Sequence, residues 1–279
     1  MADLAVRRDG VGLSGEQRGE GIPVVLAHGL TATRRYVVMG SRALERSGHR
    51  VVGYDARGHG RSSPAGRREE YDYVDLVADL EAVMAEARID RAVLAGASMG
   101  AHTALRFALE HPERVLALAV ITPAFDPARA DDPAALGRWD ALAAALRTGG
   151  VAGFMEAYGE PEVDERWRQT VLQALRQRLS EHEHPEAVAD AMRVVPRARP
   201  FESFQQLGAI EAPTVVVASR DDADPGHPRA VGERCAAAIP RARLVGEAEG
   251  ESPLAWQGGR LSSLISQIAS QAARKGLVR

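Results

Sequence analysis

Six short and nearly continuous apolar runs constrain what this chain can fold into: IPVVLA (22–27), RVVGYD (50–55), RAVLAG (91–96), VLALAVI (115–121), TVVVAS (214–219) and ARLVG (242–246). A strand with one wet face alternates apolar and polar residues. A run that is apolar throughout is buried on both faces, as in a parallel sheet covered by helices. The segments between the runs are helical in pattern. Within Tyr73 to Ile89, residues Val74, Val77, Leu80, Val83 and Met84 fall near one face, and Leu261, Leu264, Ile265 and Ile268 do the same near the end of the chain. At the start, residues 3–8 and 11–17 flank Asp9-Gly10, a dipeptide suited to a tight hairpin. Strands alternating with helices predict an α/β fold, a mostly parallel central sheet flanked by helices with right-handed crossovers.

The alternation stops between residues 125 and 205. There Trp139, Leu142, Ala143 and Leu146 fall at helical spacing, and Trp167, Val171, Leu175 and Leu179 repeat every fourth residue. A disordered linker has no such stripes, so the segment reads as a helical cap, 125–205, inserted into a core made of 1–124 and 206–279.

Composition removes several function classes. The chain has 279 residues, 45% hydrophobic, with a formal charge of −3. It carries no run of five or six like charges, which argues against a nucleic-acid partner. The longest apolar run is too short to span a bilayer, and the opening MADLAVRRDG has no signal-peptide core, so no membrane role and a cytoplasmic location are expected. The single cysteine, Cys235, excludes an internal disulfide framework and fits a small buried apolar residue. No phosphate-binding glycine loop or metal-ligand pattern stands out, so no cofactor and no metal are expected.

The stretch VLAGASMGAH (93–102) places Gly-x-Ser-x-Gly between an apolar strand and a helix-like run. Such a turn holds Ser98 in a strained conformation at a helix N-terminus, where free amides favour developing negative charge. The flanking glycines let neighbouring chain pass without Cβ clashes. His28-Gly29-Leu30, directly after IPVVLA, can present the Leu30 amide, which with the Met99 amide would make a two-donor oxyanion hole.

Taken together, His28-Gly29, Asp55-Ala-Arg57-Gly58-His59-Gly60-Arg-Ser62 and Gly96-Ala-Ser98-Met-Gly100 resemble the α/β-hydrolase superfamily in order and spacing. The likeness covers residues 20 to 270, with the cap included. It implies a serine nucleophile at Ser98 and an architectural role for the Asp55 turn and His59. It also implies an acid after the strand that follows the cap. In Arg220-Asp221-Asp222-Ala223-Asp224-Pro225-Gly226-His227-Pro228, counting from the strand end favours Asp222. The prolines at +1 and +4 of Asp224 are similar to the family's exit from its acid, and Asp224 is preferred.

The family's base is a histidine after the last strand, in a Gly-His-Ser-Pro-like loop. Here the loop reads Gly250-Glu251-Ser252-Pro253, and no histidine follows His227. Glutamate is a far weaker base than histidine, although a like-charged neighbour or an apolar pocket would raise its pKa. The resemblance thus implies an atypical triad of Ser98, Asp224 and Glu251, with His227 or His102 as possible substitutes for the base. His28 reads as a substrate contact, as do Phe154 and Tyr158 of the cap. His182 and His184 read as solvated cap surface, and His49 and His111 as structural. The expected partner is a small hydrophobic, uncharged substrate: an ester, thioester or lactone. Two alternatives stay open: a lyase, isomerase or cyclase using Glu251 as acid or base, and an inactive ligand- or partner-binding homologue.

Overall fold

The computed structural model describes residues 2–274. Asp9 and Gly10 both take left-handed backbone, φ 49° and 83°, and fold β1 (Ala2–Arg8) antiparallel onto β2 (Val11–Arg18). The six apolar runs follow as β3 (Ile22–Ala27), β4 (His49–Tyr54), β5 (Ala92–Ala97), β6 (Val115–Ile121), β7 (Thr214–Val217) and β8 (Ala242–Val245). They form one eight-stranded sheet in the order β1-β2-β4-β3-β5-β6-β7-β8. From β4 to β8 every neighbouring pair is parallel, while β2 pairs antiparallel with β4.

Strand parity sorts the core into two layers. Val25, Val52, Leu94, Leu118, Val120 and Val216 face one side, with α2 (Tyr73–Glu86), α3 (Met99–Glu110) and α7 (Arg229–Ala238). Val24, Val51, Val93, Ala117, Ile121 and Val215 face the other, with α1 (Ala43–Arg46) and α8 (Gly258–Arg274). Burial on both faces explains why these strands lack the polar alternation of the edge pair.

Between β6 and β7 lie α4 (Pro133–Tyr158), α5 (Glu165–Ser180) and α6 (Pro185–Val194). Asp132 and Asp164 cap the first two, each accepting from backbone amides of the opening turn. Gly150 breaks α4 at φ 59°, ψ −151°, which lets Phe154 turn back onto the cap interior. Leu142, Ala143, Leu146, Leu175 and Leu179 are buried there, in one cluster with Leu30 and Met99 of the core. Cap and core therefore share apolar packing directly above the sheet's C-terminal edge.

The sheet runs from β3 to β4 on one side and from β3 to β5 on the other. The loops after β3 and β5 thus open side by side where the strand order reverses, the usual ligand crevice of an α/β sheet.

Candidate active site

Ser98 stands between the end of β5 and the start of α3 with φ 51° and ψ −113°, a left-handed-φ backbone that a non-glycine residue adopts only under constraint. Its amide donates to the Ile121 carbonyl at 2.9 Å, continuing the β5–β6 ladder through the turn. The two glycines leave no alternative. A Cβ on Gly96 would stand 2.1 Å from the Gly100 carbonyl oxygen, and one on Gly100 would stand 2.1 Å from that of Ala27. Ser98 is half-buried and its hydroxyl makes no hydrogen bond among the described residues.

The loop after β3 lies against this turn: a Cβ on Gly29 would touch the Ser98 Cβ at 3.4 Å. The Gly29 carbonyl accepts from the Ala32 amide at 3.0 Å and from His28 Nδ1–H at 2.8 Å. Because that peptide is trans, the Leu30 N–H leaves on the opposite side, with no carbonyl partner among the described residues. Met99 opens α3, so its N–H has no acceptor one turn earlier within the helix. Both residues are buried.

His28 itself is a correction. Its Nε2 accepts the Ala56 amide at 2.9 Å, which puts the ring proton on Nδ1. With 2% exposure and both nitrogens occupied, it positions the Leu30 peptide and offers no edge to a substrate. Burial, chiefly, pulls its pKa down to about 3, keeping the ring neutral. His59 is held between the Leu30 and Arg57 carbonyls at 2.7 and 2.9 Å, and desolvation lowers its pKa too. Beneath it, Arg57 pairs with Asp79 through two 2.7 Å hydrogen bonds, both side chains 1% exposed.

Asp224 and His227 meet on the loop after β7. Asp224 Oδ1 and His227 Nδ1 are 2.8 Å apart. Burial alone would lower the His227 pKa, but the charge of Asp224 and this hydrogen bond outweigh it and raise the pKa above the usual value. The bond fixes the proton on Nδ1 and leaves Nε2 without a partner among the described residues. Asp222 turns away to the surface, where it pairs with Arg166 and Arg220, each at 3.4 Å.

His102, one turn along α3 from Ser98, is spent elsewhere. Its Nε2 accepts the Ala124 and Phe125 amides at 3.0 and 3.1 Å, and Nδ1 donates to Tyr73 Oη at 2.9 Å. Desolvation, helped by the charge of nearby His227, holds its pKa at about 3. His227 is thus within electrostatic reach of His102, four residues along α3 from Ser98.

Glu251 has none of the expected surroundings. Its side chain is 48% exposed and pairs with Arg260 at 3.2 Å. The Arg260 hydrogen bond, with the Ala248 amide, lowers its pKa rather than raising it. The carboxylate buried in this loop is Glu247, which sequence reasoning passed over. It accepts from the Arg220 amide at 2.6 Å and the Leu254 amide at 2.8 Å, tying the loop after β8 to the loop after β7.

In the cap, Phe154 is 1% exposed and stacks on Tyr158, with ring centroids 6.0 Å apart and planes at 15°. Tyr158 is half-buried, and desolvation raises its pKa. His182 is another correction. It is buried, accepting the Gly60 amide at 2.9 Å on Nδ1. The short Glu181–Glu183 connection thereby grips the core loops, while His184 is partly exposed beside Glu186. The signal was present in EHEHPE, but nothing local says which histidine turns inward.

The chain matches the sequence model of the alpha/beta hydrolase fold over residues 22–258. It is 30% identical over 216 residues to the 2-hydroxy-6-oxononadienedioate/2-hydroxy-6-oxononatrienedioate hydrolase of Cupriavidus pinatubonensis, covering 71% of this chain and 68% of that one. It is 27% identical over 216 residues to the AB hydrolase superfamily protein YisY of Bacillus subtilis, covering 74% and 76%. The fold is similar to that of a thermophilic esterase from Thermogutta terrifontis, with TM-score 0.78, 24% identity and full coverage of both chains. No helix among the described residues is long and apolar enough to cross a membrane. The chain belongs to the α/β-hydrolase fold family and is a hydrolase of that family.

Proposed function

We propose that the protein is a serine hydrolase that cleaves a small ester, thioester or lactone with Ser98 as nucleophile, His227 as base and Asp224 as the acid that orients it. One observation carries this reading: the 2.8 Å contact between His227 Nδ1 and Asp224 Oδ1, which frees Nε2 to accept a proton. Ser98 Oγ attacks the carbonyl carbon as its proton passes to His227 Nε2. The oxygen that becomes negative is met by the Leu30 and Met99 amides. His227 then returns the proton to the departing alcohol or thiol. Water, activated by the same histidine, breaks the acyl–Ser98 bond and releases the acid.

The base thus comes from the acid's own loop, and Glu251 takes no step. An exposed carboxylate held anionic by Arg260 cannot donate a proton near neutral pH, and it is too weak a base to deprotonate a serine. Relatives named as an esterase and as an enol-lactonase support an acyl substrate. Tyr158, half-buried and backed by the buried Phe154, would meet its apolar part from the cap.

Incubation with a fluorophosphonate, read by intact mass, tests the assignment. A one-to-one adduct on the wild type that Ser98→Ala lacks and His227→Asn forms far more slowly is the expected result. An unlabelled wild type would overturn it.

A further inference from the structure

Helix α5 is fastened at both ends across the site. At its start, the Asp164 amide donates to the Asp222 carbonyl at 2.9 Å, on the loop that carries Asp224 and His227. Just past its end, Glu181 accepts from Thr33 Oγ1 at 2.8 Å and Tyr36 Oη at 3.0 Å, on the loop that carries the Leu30 amide. His182 adds the Gly60 contact. The last turn of α5 is therefore held beside the oxyanion loop, and Arg178 lies in that turn.

The Arg178 guanidinium has no hydrogen bond or ion pair with any described residue, and its Nε is sealed from solvent without a partner. Glu181, the nearest carboxylate in sequence, is already taken by Thr33 and Tyr36. Asp224 is within electrostatic reach, as are Tyr158 and Tyr36, but Asp224 holds His227. Arg57, the arginine buried in the core, has two bonds to Asp79 and one to the Glu70 carbonyl. Arg18, Arg168 and Arg193 share an unpartnered Nε, but Arg18 and Arg168 pair with Glu16 and Glu160 through another nitrogen, and Arg193 lies on α6. A guanidinium stays charged at all ordinary pH, and leaving one partly buried and unpaired is costly. Nη1 and Nη2 of Arg178 are also without a partner among the described residues and, unlike Nε, are not sealed from solvent, so that end of the fork can take a carboxylate through two parallel hydrogen bonds.

We infer that Arg178 is a specificity residue that binds a carboxylate on the substrate, so that the preferred ester or lactone carries an acid group away from the scissile bond. This deepens the serine-hydrolase reading and rests on it for the identity of the scissile bond. It revises the expectation of an uncharged ligand while keeping an apolar linker between the two ends. A single guanidinium suits one negative charge better than a phosphate.

Monomethyl succinate, glutarate and adipate, paired with their neutral dimethyl esters, are the probes. Calorimetric binding to Ser98→Ala, which does not need turnover, is compared with binding to Ser98→Ala combined with Arg178→Met or Arg178→Lys. At least one monoester should bind more tightly than its dimethyl partner, lose roughly 10- to 100-fold in affinity with methionine, and recover part of it with lysine. Retained folding of each variant is checked by its thermal melting. Absence of preference for all three monoesters, or equal affinity with methionine at position 178, would overturn the inference. Because binding is read in a chain without its nucleophile, failure of the hydrolase reading would show instead as an unlabelled wild type in the fluorophosphonate experiment.

Discussion

Replacing His227 by Asn separates the base proposed here from the one the sequence alignment suggests. The substitution removes the ring nitrogen that would accept the Ser98 proton while leaving a polar side chain beside Asp224. Loss of the histidine from a serine triad costs about 10⁶ in kcat, or about 8 kcal/mol of transition-state stabilisation. Asp224→Asn should cost about 10⁴, because the amide no longer fixes the Nδ1 proton at 2.8 Å. Glu251→Gln should leave kcat and KM unchanged, since that side chain is half exposed and, among the described residues, bonds to Arg260 and the Ala248 amide only. The assay is initial-rate hydrolysis of p-nitrophenyl butyrate from pH 5 to 9, with Ser98→Ala as the zero. The acid limb of kcat/KM should report a base titrating above the ordinary histidine value, because Asp224 outweighs burial at His227. In Asp224→Asn that limb should move to lower pH, since burial then acts unopposed. If Glu251→Gln abolishes turnover while His227→Asn retains it, the assignment is wrong and the loop after β8 supplies the base after all.

Other consequences follow from the same geometry. His28, His102 and His182 each have a pKa pulled down to about 3, chiefly by burial. Their unfolded values lie near 6.5, so the unfolded chain binds more protons between those limits. The stability they contribute is intact above pH 6.5 and falls as pH drops, by up to about 1.4 kcal/mol per histidine per pH unit. Urea midpoints should decline steeply between pH 6.5 and 5, and a flat profile would contradict the burial of these rings. Asp79→Ala removes two 2.7 Å hydrogen bonds from the Arg57 guanidinium at 1% exposure, leaving it Asp75 at 3.3 Å and the Glu70 carbonyl, and should cost about 3 kcal/mol, read as a lowered denaturation midpoint with an unchanged slope. Gly100→Ala would drive a Cβ to 2.1 Å from the Ala27 carbonyl oxygen, forcing α3 off β3. Backbone cannot yield there as a flexible side chain would, so melting temperature and Ser98 labelling should fall together, whereas Gly137→Ala, inside helix α4 with open space around it, should raise the melting temperature slightly and leave labelling unchanged.

The fold was largely legible from the sequence because its signals are local. Apolar runs that alternate with helical stripes specify a parallel sheet through burial on both faces, and each β3 to β8 strand lies within two residues of its run. The Asp9-Gly10 hairpin and the Ser98 turn are also local: backbone φ and the absence of a Cβ decide them within a few residues. The preference for Asp224 over Asp222 rested on the neighbouring prolines, and its role as the acid is part of the proposal. The helical cap between β6 and β7 showed in its stripes, although the break at Gly150 did not.

What a side chain meets across the molecule was not legible. His28, His59, His102, His182 and His227 are the same residue type in the sequence, and only long-range packing separates four neutral, hydrogen-bonded rings from one held against a carboxylate. Glu247 and Glu251 are four residues apart, yet one is buried under two amides and the other pairs with Arg260 in solvent. Arg178 is one of many arginines until α5 is fastened to loops more than forty residues away on either side in the chain, sealing its Nε from water. Sequence determined the scaffold and the Ser98 turn, because backbone geometry and hydrophobic burial are set by neighbours. Tertiary structure decided which charges are paired, which are neutralised and which are left free, because desolvation and hydrogen bonding depend on what the folded chain brings within a few ångströms.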